Sequence, residues 1–237
     1  LAMLLLYKEK LPTFKQWISL MVVSLGVVVG FPLLTAIALQ EITSAHSLVF
    51  LALLPLSTAI FAVIRGGEKP RPIFWLFSII GSLLVMGYAL SQGGASSISA
   101  DLLMIASVIV CGLGYAEGAT LTKALGGWQV ICWALIVSLP PMLILSFILI
   151  PEELATISVS AWIGLGYVSL FSMLIGFIFW YKGLSQGGIA AVGQLQLLQP
   201  FFGLGLAAVL LHESVNLLML LVTIGVIFCV AGSRKYA

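Results

Sequence analysis

Apolar stretches of about 18 to 23 residues recur along almost the whole chain, with charge confined to the short segments between them. A helix rising ~1.5 Å per residue needs about 20 residues to cross ~30 Å of hydrocarbon. In lipid every backbone N–H and C=O must find its partner inside the protein, so only helices and closed barrels can span. The runs lack the period-2 alternation of barrel strands, which selects helices. Composition excludes a water-facing globule: charged residues are 8% of the 237, against about 25% in a soluble domain. The chain is therefore read as an all-α polytopic membrane protein, with the lipid bilayer as its solvent.

Eight spans are expected, near residues 17–39, 45–64, 73–90, 101–121, 128–150, 159–181, 190–211 and 216–231. The connections between them are short and leave no room for a soluble domain. Cys111, Cys132 and Cys229 lie inside apolar runs without metal-ligand spacing, so neither a disulfide framework nor a metal centre is expected. Nothing in the pattern requires a cofactor, and no nucleic-acid partner is expected. The opening seven residues lack the basic region and cleavage site of a signal peptide.

Placing alternate loops on opposite sides sorts the charges. One side holds Lys8, Lys10, Lys15, Arg65, Lys69, Arg71, Lys123, Lys182, Arg234 and Lys235, all 10 basic residues of the chain. The other holds Glu41, Asp101, Glu152, Glu153, His212 and Glu213, with no Lys or Arg. By the positive-inside rule the basic side is the cytoplasm and the C-terminus lies there, which expects a multi-pass protein of the cell inner membrane. One miscounted span would scatter these charges over both faces.

An internal repeat is visible at an offset of 145 residues: Pro55 falls on Pro200, Glu68 on Glu213, Trp17 on Trp162, and Ala45 on Ala190. Matched spans are separated by an odd number of crossings, so the two copies lie upside down to each other, as in many secondary transporters. The copies are placed at residues 1–96 and 97–237. Counterparts of the fourth and fifth spans fall almost wholly before residue 1, from which the absence of about 50 residues is expected. The eight spans then belong to a ten-helix, inverted five-plus-five arrangement.

The segment Leu51-Ala-Leu-Leu-Pro-Leu-Ser-Thr-Ala-Ile-Phe-Ala-Val-Ile-Arg-Gly-Gly-Glu68 resembles the fourth helix of the EamA-type drug/metabolite transporter superfamily. A second version, Gln199-Pro-Phe-Phe-Gly-Leu-Gly-Leu-Ala-Ala-Val-Leu-Leu-His-Glu213, stands where the ninth helix would be, with His212 replacing the usual Gly. The resemblance covers the whole chain as helices three to ten and the tail of two. It implies two inverted five-helix halves, cytoplasmic termini, and a central cavity reached alternately from each side. It also implies proton-coupled or facilitated movement of small metabolites, commonly amino acids.

Six residues are candidates for substrate binding or proton coupling. Glu117 is the only acid well inside a span, and no basic residue at helical spacing partners it. A carboxylate at that depth must face the bundle interior, a watery cavity or an interface. Gln196 and Gln199 share a stripe with Gly193 and Pro200, either facing a polar substrate or joining helices; Gln194 lies on another face. His46, near the outer end of the second span, is either an interfacial hydrogen-bonder or a relay. Tyr115 and Trp180 offer aromatic faces to a cation or ring, or pack as ordinary bundle residues. Pro32, Pro55, Pro140, Pro141 and Pro200 are expected to interrupt helices, with the repeat-paired Pro55 and Pro200 the hinge candidates. Gly26-x3-Gly30 and Gly114-x3-Gly118 are expected to permit close helix packing.

The leading expectation is a secondary transporter, acting as an exporter of a neutral, zwitterionic or cationic metabolite. No Lys or Arg lies deep in a span, which disfavours phosphorylated cargo. A non-transporting assembly subunit is the alternative. A membrane-embedded enzyme is not expected, because paired catalytic groups at membrane depth are missing. A homodimer is compatible with the sequence.

Overall fold

The structure is a computed structural model and describes residues 2–91, 97–150, 157–199, 201–202 and 217–237. Among these the chain is helical throughout, with no strand. The elements are α1 (Ala2–Leu6), α2 (Phe14–Ala38), α3 (Ser44–Leu51), α4 (Leu54–Ile64), α5 (Pro72–Ser91) and α6 (Ile98–Leu125), followed by α7 (Gly127–Ile148), α8 (Val159–Gly187), α9 (Ile189–Leu198) and α10 (Leu217–Tyr236). Among the described residues seven helical stretches are long and apolar enough to cross a membrane, α3 and α4 together making one of them. The span expected at 190–211 is described only as far as residue 202.

Helix α6 runs through the middle of the bundle and packs against α2, α3, α4, α7, α8 and α9. Its glycines allow this. A Cβ added to Gly26 would sit 2.5 Å from the Val110 carbonyl oxygen and 3.1 Å from Gly114 Cα, so α2 and α6 touch backbone to backbone. A Cβ on Gly118 would meet the Tyr181 ring at 2.2 Å, and the Tyr181 hydroxyl donates to the Gly114 carbonyl at 3.4 Å. In lipid, where apolar surface gains little from leaving the solvent, such close approach supplies the packing energy. α5 and α10 form a second pair, with Val85, Val226 and Val230 in its buried seam.

The prolines behave unequally. α3 stops at Leu51 and α4 begins at Leu54, with Pro55 in its first turn, where the missing N–H would have had no partner. Pro32 follows a widened π-helical stretch at Ser24–Gly30, which makes room for its ring below the Val28 carbonyl. Pro140 and Pro141, by contrast, do not interrupt α7, which runs unbroken from Gly127 to Ile148. A trans proline has a helical φ already, and packed transmembrane helices tolerate the freed carbonyl. Pro200 lies outside the described residues.

Helix boundaries fall at the same 145-residue offset as the sequence matches. Phe14 and Val159 both open a helix, as do Ser44 and Ile189. A second π-helical stretch at Val168–Gly176 lies opposite Ser24–Gly30.

Gly26→Ala should force α2 and α6 apart and lower unfolding stability by about 1–3 kcal/mol, the usual range for overpacking. Gly87→Ala, where a Cβ meets nothing within 4 Å, should be neutral or stabilising by up to about 1 kcal/mol. Denaturant unfolding of the purified protein, followed by helical circular dichroism, checks both.

Candidate functional site

A cavity of about 660 Å³ lies among α2, α3, α4, α8 and α9, with Tyr115 of α6 in its wall. Gln199 stands roughly 15 Å along its helix from Ile189 at the basic end, while Leu48 lies near the opposite end of the membrane. The cavity thus occupies the middle of the protein and the half toward the acidic face. Its polar groups come from Tyr115, Ser172, Gln196 and Gln199; the remaining walls are apolar, with Phe31 and Phe177 the aromatic ones. No charged side chain lines it among the described residues.

The candidates divide by position. Gln196, Gln199 and Tyr115 come together in this cavity. Tyr115 makes polar interactions with Gln196 and Cys111, yet the Gln196 side-chain oxygen is buried without a hydrogen-bond partner. Trp180 stands behind Tyr115, with ring centroids 5.5 Å apart at 64°, and its indole nitrogen is buried and unpartnered. Gln194 is fully buried and donates to the Pro55 carbonyl at 3.4 Å, on another face as its spacing suggested.

Glu117 is two residues from Tyr115 toward the basic end and is 5% exposed. It has a partner after all. The Arg65 Nε donates to Glu117 Oε2 at 2.7 Å, with Ser19 a further polar neighbour. Helical spacing along α6 could not reveal this, because the cation comes from the end of α4. Arg65 reaches inward with its guanidinium while keeping about half its side chain exposed.

Other ties join residues 1–96 to residues 97–237 at both ends. At the basic end Glu68 accepts the backbone N–H groups of Ile189 at 2.6 Å and Ala190 at 2.8 Å. This carboxylate caps α9 at the position where Gly188 has no side chain to do so. The repeat position of Gly188 is Thr43, which caps α3 itself by accepting from the His46 N–H. At the acidic end His46 Nε2 lies 2.9 Å from Asp101 Oδ1, away from the cavity lining. Glu41 accepts from the hydroxyls of Ser97 and Ser99. Sequence reasoning missed Arg65, Ser172, Phe177 and the capping role of Glu68.

Residues 1–90 and 98–234 match the EamA-like transporter family. The chain belongs to that family. It is 63% identical over 235 residues to the uncharacterized transporter YdeK of Bacillus subtilis (strain 168), covering 99% of this chain and 82% of that one. A solved crystal structure superposes on 100% of the chain and 83% of its own, with a TM-score of 0.81 at 16% identity, a likeness of fold alone.

The hydroxyls of Ser97 and Ser99 hold the Glu41 carboxyl below its ordinary pKa of 4.5. A depressed folded value means the contact contributes above the unfolded pKa and is lost as pH falls through the lowered one. Carboxyl-carbon NMR should show Glu41 titrating below the ordinary carboxylate range. Ser97→Ala with Ser99→Ala should return it upward; no movement would remove the hydroxyls as the cause.

Proposed function

We propose that this protein is a secondary transporter that moves a small metabolite across the inner membrane by alternating access between two inverted repeats, residues 1–96 and 97–237. The observation that carries this reading is the cavity itself: a mid-membrane space in a family of transporters, walled by helices of both repeats. Matching in two stretches, 1–90 and 98–234, supports the division. The segregation of all 10 basic residues supports a cytoplasmic C-terminus. Export is the proposed direction, and the cargo classes are neutral, zwitterionic and cationic metabolites.

The Arg65–Glu117 pair and the Glu68 clamp on α9 stand between the cavity and the basic face, and each crosses between the repeats. In an alternating-access cycle these contacts hold the cytoplasmic side shut. The Ala52–Leu53 break before Pro55 is the hinge at which α3 and α4 change their angle; Pro200 is its proposed counterpart. Glu117, so paired, acts on the cycle more than on binding.

The test is flux in proteoliposomes across a panel of uncharged, zwitterionic and cationic metabolites. Protein-dependent movement of at least one class is expected, with Glu117→Gln changing maximal rate several-fold and leaving KM nearly constant. A panel in which nothing moves faster than in empty vesicles contradicts the transport reading. A change confined to KM would instead place Glu117 at the solute.

A further inference from the structure

The repeat and the cavity coincide more closely than the repeat alone requires. Val27 and Ser172 both line the cavity and lie 145 residues apart in the sequence. So do Leu51 and Gln196, and Leu54 and Gln199. The space therefore sits where the two copies face each other, built from equivalent positions on each. Equivalent positions do not carry equivalent chemistry. In three of the five lining pairs at this offset the first copy supplies an aliphatic side chain and the second a hydroxyl or an amide, while Pro32 with Phe177 and Ala52 with Leu197 are apolar on both sides.

That asymmetry constrains what the cavity holds. The second copy's wall offers hydrogen-bonding groups, including a Gln196 oxygen that is buried and unpartnered within the protein. A buried polar atom without a partner is unfavourable, and a bound donor would recover that cost. The facing wall can only take apolar surface. Charge finds no counterpart: the lining carries none among the described residues, and the two acids of α6 are engaged, Asp101 by His46 and Glu117 by Arg65. Moving an ion into such a space without a partner is strongly unfavourable.

We propose that the cavity binds an uncharged amphipathic solute, its hydrogen-bonding head on Ser172, Gln196 and Gln199 and its apolar body on Val27, Leu51 and Leu54. This rests on the transport reading above and narrows its three cargo classes to one. The unequal copies also fix the solute's orientation, head toward α8 and α9.

Equilibrium binding to the chain in lipid nanodiscs, with empty nanodiscs subtracted, tests this directly. The ligands are phenylacetamide, phenethylammonium and phenylacetate, alike in size and different in charge. The amide should bind at least about tenfold tighter than either ion. Gln196→Leu with Gln199→Leu, which gives the second copy the residues of the first, should erase that preference. An ammonium or carboxylate binding as tightly as the amide to the unaltered chain would overturn the proposal, whatever the variants do. So would absence of binding by all three at millimolar concentration, or a preference that survives the double substitution in a chain of unchanged helicity. Amide-selective binding without vesicle flux would support this site and sink the transport reading; flux without amide preference would do the reverse.

Discussion

Backbone-to-backbone contact between α2 and α6 at Gly26 and Gly114 is the constraint on which the arrangement depends. Lipid removes most of the hydrophobic incentive for helices to associate, so shape has to supply it. A helix as long as α6 can run through the middle of the bundle only if its neighbours come within a few ångströms of its axis. Gly112, Gly114 and Gly118 provide that, and added Cβ atoms there would strike Ser57, Val27 and Tyr181. With α6 so placed, Asp101 meets His46 at one end, Glu117 meets Arg65 toward the other, and Tyr115 is left in the cavity wall between them.

The ionic groups then acquire distinct tasks. None of those described lines the cavity; Arg65 with Glu117, His46 with Asp101, and Glu68 instead tie residues 1–96 to residues 97–237. The pairing of Glu117 with Arg65 explains how a carboxylate at 5% exposure is tolerated, since a buried charge needs both a counter-ion and hydrogen bonds. Glu68 performs the capping that Gly188 cannot, and so replaces a local contact of the first copy, Thr43 on His46 N–H, with one that spans the copies.

Much of this was legible in the sequence, for identifiable reasons. Run length and charge segregation depend on the bilayer alone, so the helical spans and the sorting of basic residues could be read directly. The 145-residue offset anticipated the matched helix starts at Phe14 and Val159. Gln196 and Gln199 were identifiable because polar groups in lipid must face something polar, and Tyr115 because it offers an aromatic face. The partner of Glu117 was not, because periodicity reports only on one helix and Arg65 arrives from another. The continuity of α7 through Pro140 and Pro141 was misread for a related reason: a proline's effect depends on whether neighbours accommodate the freed carbonyl. Pro200, His212 and Glu213 fall outside the described residues, so their side of the repeat rests on sequence.

In the proposed cycle the two repeats separate at the basic face. Distances between spin labels at Lys69→Cys and Gln186→Cys, measured by double electron–electron resonance in nanodiscs with Cys111, Cys132 and Cys229 replaced, address it directly. Two distance populations are expected, the longer one growing when Glu117→Gln breaks the pair with Arg65. A single distance that is unchanged by that substitution would contradict it.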